Sequence, residues 1–159
     1  MKTNNNPILQ TVPFVDLDKY AGKWYEIAAF PQRFEKGCNC TTAEYEVTKR
    51  GFVRVINKCR LDSVNGKVKT AKGKAFPVLR SNNAKLKVQF FWPFKGDYWV
   101  IELADDYSYA MVGESTRKYL WILGRTPKMA DATYQMLVTH ASEKGFDVRK
   151  LKKTVQTCN

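Results

Sequence analysis

Turn signals recur along this chain at intervals too short for helices and regular enough for a meander of strands. Arg50-Gly51, Asn65-Gly66, Ser81-Asn82-Asn83, Lys95-Gly96-Asp97, Asp105-Asp106 and Glu114-Ser115-Thr116 separate its apolar runs. Asn65-Gly66 is the strongest hairpin signal, because both residues tolerate positive φ. The segments between them fall at about 23–31, 40–49, 52–60, 67–77, 84–91, 97–104, 108–113 and 119–124. Most alternate. Leu86, Val88 and Phe90 share one face, with Lys85, Lys87 and Gln89 on the other. Val53, Val55 and Asn57 oppose Arg54 and Lys58. Eight hairpin-linked strands with one polar face predict an all-β fold, an eight-stranded up-and-down antiparallel barrel.

The ends of this meander carry a matched pair. Gly22-Lys23-Trp24-Tyr25-Glu26 opens the first strand, and Leu120-Trp121-Ile122-Leu123-Gly124-Arg125 closes the last. If the sheet closes on itself, these ends are neighbours, and the Arg125 guanidinium can lie over the Trp24 indole. The inner parity also holds Tyr45, Asn57, Phe90 and Trp121, large aromatics with an isolated amide. A cavity would use Asn57 to orient a ligand. A filled core would pair its amide with nearby backbone. The residues alone leave both readings open.

After Arg125 the period changes from two to three and four. Thr126-Pro127 is expected to start a helix with proline at or near its first position. Met129, Ala132, Thr133, Met136, Leu137 and His140-Ala141 mark its apolar face, and Gly145 ends it. Eight strands leave no room inside for a helix and a ligand, so the helix is expected on the outer wall. His140 reads as a surface or packing residue. The expected organisation is a flexible arm at 1–12, with Pro7 near its middle, and one barrel domain at 13–159. Asp16 is the expected N-cap of a short turn at 16–21.

The net charge of +12 attracts anionic partners. Lys67, Lys69, Lys72 and Lys74 are interleaved with small or apolar residues, which reads as the wet face of a strand rather than a nucleic-acid patch. No stretch is long and apolar enough to form a membrane-spanning helix. The four cysteines, Cys38, Cys40, Cys59 and Cys158, read as two disulfides, because Cys38-Asn39-Cys40 is too tight for a zinc knuckle and the chain has a single histidine. Disulfides imply export. The leading residues carry no apolar signal, so either a start methionine has replaced one or the thiols are reduced in a cytosol; we favour the first, which places the protein in the periplasm or outer membrane.

Taken together, Gly22-Lys23-Trp24-Tyr25-Glu26-Ile27-Ala28, Phe34-Glu35-Lys36-Gly37, Val55-Ile56-Asn57-Lys58, Asp106-Tyr107 and Leu120 to Pro127 resemble the lipocalins. The resemblance covers about residues 13–158 and lies in the bacterial outer-membrane and apolipoprotein D-like branch. It implies a barrel holding one small ligand. It implies that Trp24 and Arg125 plug a closed end, that Asp106 and Tyr107 form a turn there, and that Tyr45, Asn57, Phe90 and Trp121 line the pocket. It implies a Cys40–Cys158 bridge to the C-terminal tail, which leaves Cys38 with Cys59. The pairing of Cys40 with Cys59 and Cys38 with Cys158 stays open beside it.

The resulting functional expectation is binding, transport or storage of a small hydrophobic or amphipathic lipid, anionic at its head. Fatty acids and lysophospholipids fit, and envelope lipid maintenance is the corresponding role. The protein is expected to be a monomer or weak homodimer with no cofactor, no metal and no nucleic-acid partner. The alternatives are a lipocalin-related enzyme and a membrane- or protein-surface interaction module. The enzyme reading lacks a metal constellation, a triad that His140 could serve, and a phosphate loop. The surface reading uses Phe91-Trp92-Pro93-Phe94 as an aromatic mouth loop. Function is expected at the end carrying that loop and Phe34-Glu35-Lys36-Gly37.

Overall fold

The structure is a computed structural model that describes residues 7–90 and 95–158. A short helix, α1 (Leu17–Tyr20), precedes the strands β1 (Gly22–Ala29), β2 (Cys38–Val47), β3 (Val53–Leu61), β4 (Val68–Pro77), β5 (Lys85–Gln89), β6 (Lys95–Leu103), β7 (Tyr109–Gly113) and β8 (Leu120–Gly124). Helix α2 (Asp131–Glu143) and a two-residue strand, β9 (Lys152–Lys153), follow. Each strand pairs antiparallel with the next, and β1 pairs with both β8 and β2, so eight strands close a barrel. The helix lies outside, as its apolar stripe requires.

Alternation sorts the side chains into two cores. Trp24, Tyr45, Val53, Val55, Ala75, Leu86, Val100, Val112 and Leu123 point inward. Ile27, Phe30, Met111, Leu120 and Ile122 point outward and are covered by Tyr134, Leu137 and Ala141 of α2, with Phe146 beyond it. Residues 7–12 run along the wall. Leu9 is buried in the outer core, and Val12 N–H donates to the Val100 carbonyl at 2.9 Å.

Three local expectations need correcting. The helix begins at Asp131, not at Pro127. Ala130 is still extended, with ψ at 138°, and the Thr126 hydroxyl folds onto the Lys128 carbonyl at 2.8 Å. Its buried face is Tyr134, Leu137 and Ala141, while Ala132 is exposed, so the stripe is rotated toward Tyr134. Asn65-Gly66 is not a two-residue hairpin turn. The loop spans 62–67, and the positive φ falls on Asp62. Gly66 is needed for proximity instead, since a Cβ there would lie 1.7 Å from the Leu61 carbonyl oxygen.

The wall has one seam. β1 pairs with β2 only from Gly22 to Tyr25, and a bulge between Glu26 and Ala28 then turns β1 away. The C-terminal tail fills the gap. Lys152 and Lys153 pair with Ala29 and Ala28, Thr154 N–H donates to Ile27, and Cys40 N–H donates to Val155 at 2.7 Å. The Gln156 amide donates to the carbonyls of both Glu26 and Thr41 at 2.8 Å.

Candidate functional site

The barrel interior changes character along its axis. At the closed end the Arg125 guanidinium carbon stands 3.8 Å from the centroid of the Trp24 ring. Its five N–H groups leave no reason to seek a ligand: they donate to the carbonyls of Lys19, Tyr20, Ala21, Lys23 and Tyr107 at 2.7–3.2 Å. The Trp24 indole donates to the Tyr20 carbonyl at 2.8 Å. Asp106 and Tyr107 sit in the adjoining turn. The Asp106 carboxylate accepts from Ser108 N–H, and the Tyr107 hydroxyl accepts from Asp16 N–H. Asp16 in turn caps α1 through Asp18 and Lys19 N–H. Among the described residues no buried side-chain polar atom of this floor lacks a partner, so it has the character of a plug.

Above the floor, three tyrosines fill the middle. The Tyr20 and Tyr98 hydroxyls are 2.6 Å apart, and Tyr98 donates to Tyr45 at 2.8 Å. Burial pushes the Tyr45 phenol up to about 12 and drives Tyr20 and Tyr98 well above the ordinary tyrosine range. The phenols are therefore neutral hydrogen-bonding groups. The space left beside them, bounded by Leu17, Val53, Ala75, Leu86 and Val88, is about 20 Å³. That accommodates little more than a water. The lower half is packed.

Toward the other end the inner side chains are only partly buried. Phe90 packs against the inner core over Gly73, where a Cβ would fall 2.8 Å from the Phe90 ring. Trp121 is half-buried on the same core and stacks on Tyr119 with centroids 6.0 Å apart. Asn57 is half-buried on the inner parity of β3, paired with Ala43 and Ala71. The structure thus places Phe90, Trp121 and Asn57 toward the mouth and Tyr45 lower, in the packed half. The loop at 91–94 lies outside the described residues.

A cleft of about 600 Å³ opens where β1, the β1–β2 loop and the tail meet. Glu26, Ala29, Arg33, Glu35, Lys36 and Lys152 are among the residues that line it. Its size lies within the usual range for small-molecule sites. Glu26 is the residue that sequence reasoning did not assign. It is buried and accepts from the Thr154 hydroxyl at 2.5 Å. Burial first, and the Glu35 charge second, push its carboxyl well above the ordinary carboxylate range. The Thr41 hydroxyl, also buried near this seam, has no partner among the described residues. The signal for both was a polar residue on the inner parity at the open end of a strand.

Two disulfides fasten the same region. Cys38 bonds to Cys59 across β2 and β3, and Cys40 to Cys158, with Cα atoms 5.3 and 6.1 Å apart. The second bridge pins the tail over the seam. His140, by contrast, is on α2, with Nδ1 3.1 Å from the Glu102 carboxylate and far from the mouth in the fold. No group of three or more potential metal ligands occurs among the described residues.

The model of the lipocalin-like domain matches residues 15–156 of this chain. Temperature-induced lipocalin-1 of Arabidopsis thaliana is 40% identical over 94% of this chain and 83% of its own length. The outer membrane lipoprotein Blc of Escherichia coli K12 is 43% identical over 85% of this chain and 76% of its own. Bovine apolipoprotein D is 40% identical over 89% and 77%. Among solved structures, apocrustacyanin C1 superposes with a TM-score of 0.75 at 18% identity, over 91% of this chain and 81% of its own. Insecticyanin of the tobacco hornworm gives 0.74 at 22%, over 93% and 84%.

Proposed function

The chain belongs to the lipocalin family, whose members bind small hydrophobic ligands, and from that premise we propose that its upper barrel carries a single-chain amphiphilic lipid, a fatty acid or a lysophospholipid. The observation that carries this reading is the division of the interior. Packing closes the lower half to about 20 Å³, whereas a cleft of about 600 Å³ opens at the other end, lined by Ala29, the strand partner of Trp121. An acyl chain moved out of water gains about 0.8 kcal/mol per CH₂. Phe90 and Trp121 supply apolar wall, and Asn57 supplies a hydrogen-bonding group for the polar end of the ligand. Arg33, Lys36 and Lys152 line the cleft and suit an anionic head. Tyr45 contributes the neutral roof of the packed half, on which the tip of a chain would rest.

This is a binding and transport role, not an enzymatic one, and it needs no cofactor. The two disulfides fit an exported protein. The Escherichia coli relative is an outer membrane lipoprotein, and we place this protein likewise in an envelope, as a carrier in its lipid maintenance. A monomer completes this pocket from its own residues.

Native mass spectrometry of gently extracted protein tests the reading. The expected spectrum shows a monomer with one lipid mass added and four cysteines oxidised. A displacement titration with a fluorescent fatty acid is the companion measurement. A bare protein that also fails to bind the probe at micromolar concentrations would sink the proposal.

A further inference from the structure

The net charge of this chain is not spread over the barrel. Residues 47–90 contain twelve Lys and Arg and one acid, Asp62, so they account for eleven of the twelve net positive charges. These residues form β3, β4 and β5 with the turns between them. None of the three strands contains an acidic residue. The helix covers the other side of the barrel, over β1, β7 and β8, and leaves this wall bare.

Alternation places Arg54, Lys58, Lys72, Lys74 and Lys87 on the outer face, all exposed. Arg54 stands directly opposite Lys74 in the ladder. Like charges in that position destabilise a sheet. Arg54 pairs with Glu46 and Lys87 with Asp97, acids that come from the neighbouring strands rather than from this wall.

The same wall ends in exposed apolar side chains. Leu79 is 86% exposed, in the turn after β4. Phe14 is 58% exposed and is held beside that turn, because Asn82 donates to the Pro13 carbonyl and accepts from Val15 N–H. Val47 and Phe76 stand at the same ends of β2 and β4. Four of the seven large apolar residues exposed among the described residues thus lie at one rim of the basic wall.

We propose that this wall, from β3 to β5 with the closed-end turn at 78–84, docks on an anionic lipid bilayer. Basic residues near such a surface are attracted by its negative potential, and aliphatic side chains at the rim can enter the headgroup boundary. Leu79, the most exposed side chain of this rim, is aliphatic and suits insertion into lipid, whereas nucleic-acid bases are gripped by stacking on aromatics such as Phe14 and Phe76. The mouth lies at the opposite end of the strands and stays accessible. The inference does not depend on what the barrel carries.

Vesicle co-sedimentation of the full chain tests it, with phosphatidylcholine alone and mixed with phosphatidylglycerol. Wild type is expected to sediment with the mixed vesicles at low salt, to release at high salt, and to ignore phosphatidylcholine. Lys58→Gln with Lys72→Gln is expected to weaken binding about 25-fold, from about fivefold per basic residue. Leu79→Ser is expected to weaken it about fivefold through lost apolar burial. Lys128→Gln with Lys150→Gln removes the same charge from the helix side and is expected to change binding less than about twofold. Unchanged melting temperatures confirm that these exposed sites leave the fold intact. Equal losses from the two charge pairs, or no wild-type binding at low salt, overturn the proposal. So does tighter binding to duplex DNA with the same dependence on Lys58 and Lys72, which would assign the wall to nucleic acid.

Discussion

The two ends of this barrel are built from the same strands and differ in how completely their polar groups are used. At the closed end, Arg125 alone donates to five carbonyls, and Trp24 lies fully buried beneath it. At the open end, Thr41 has a buried hydroxyl without a partner among the described residues, and Glu26 is held among polar groups beside an open cleft. Saturated polar groups make a rigid plug. Incompletely used ones cost stability and are retained where something else is to be bound. Under the proposed function, stability belongs to one end and recognition to the other.

Trp24→Ala should break the plug most severely. It removes a fully buried indole, its hydrogen bond to Tyr20 and its stacking on Arg125. The expected loss is about 3–5 kcal/mol by urea denaturation. Lipid affinity of the protein that remains folded should hold within a few-fold. A large affinity loss at unchanged stability would reverse the assignment of the two ends. Cys158→Ser comes next, at about 2–4 kcal/mol. It releases the tail that fills the β1–β2 seam, so hydrogen exchange at Thr154 and at Cys40 should rise together. If exchange rises at neither, the tail is held by its backbone bonds rather than by the bridge.

The closed end was legible in the sequence, and the open end only partly so. Glycine, tryptophan and a distant arginine mark the strand ends that closure must bring together, and closure follows from alternation alone. The seam was not legible, because it depends on a bulge at Glu26/Ala28 that no local signal announces. Glu26 keeps the inner parity of Trp24 and is buried with it, whereas the bulge turns Ile27 and Ala28 outward together. Gly66 misled for a similar reason. Asn-Gly names a turn type, whereas this glycine answers to the Leu61 carbonyl beside it. Helix α2 begins late because Pro127 sits in the turn that leaves the barrel, and the first helical residue is the acidic Asp131.

Trp121→Ala sharpens the comparison from the other side. Its ring is half-buried toward the mouth, so truncation forfeits less packing than at Trp24. Stability should fall by about 1–2 kcal/mol, below the full cost of deleting a core aromatic. Affinity for a fluorescent fatty acid should fall about tenfold, as expected for losing part of an apolar wall. Equal losses of both properties in the Trp24 and Trp121 variants would erase the distinction between plug and site.

The smallest effect is a pH dependence rooted in Glu26. Its folded carboxyl titrates well above the ordinary range because burial, and then the Glu35 charge, disfavour ionisation. Above the carboxyl's ordinary range, the unfolded chain gives up this proton while the folded protein keeps it. Stability therefore falls as pH rises, until the folded group itself ionises. Glu26→Gln keeps the side chain's shape and can still accept from Thr154, but it cannot ionise. Between about pH 5 and pH 8, where ordinary glutamates are already charged, this component of the slope should vanish in the variant. Urea midpoints across that range provide the measurement. A wild-type profile parallel to that of Glu26→Gln would mean that Glu26 is ionised in the fold. The cleft would then hold a full negative charge, and Arg33, Lys36 and Lys152 would be its counterions rather than open positions for an anionic head.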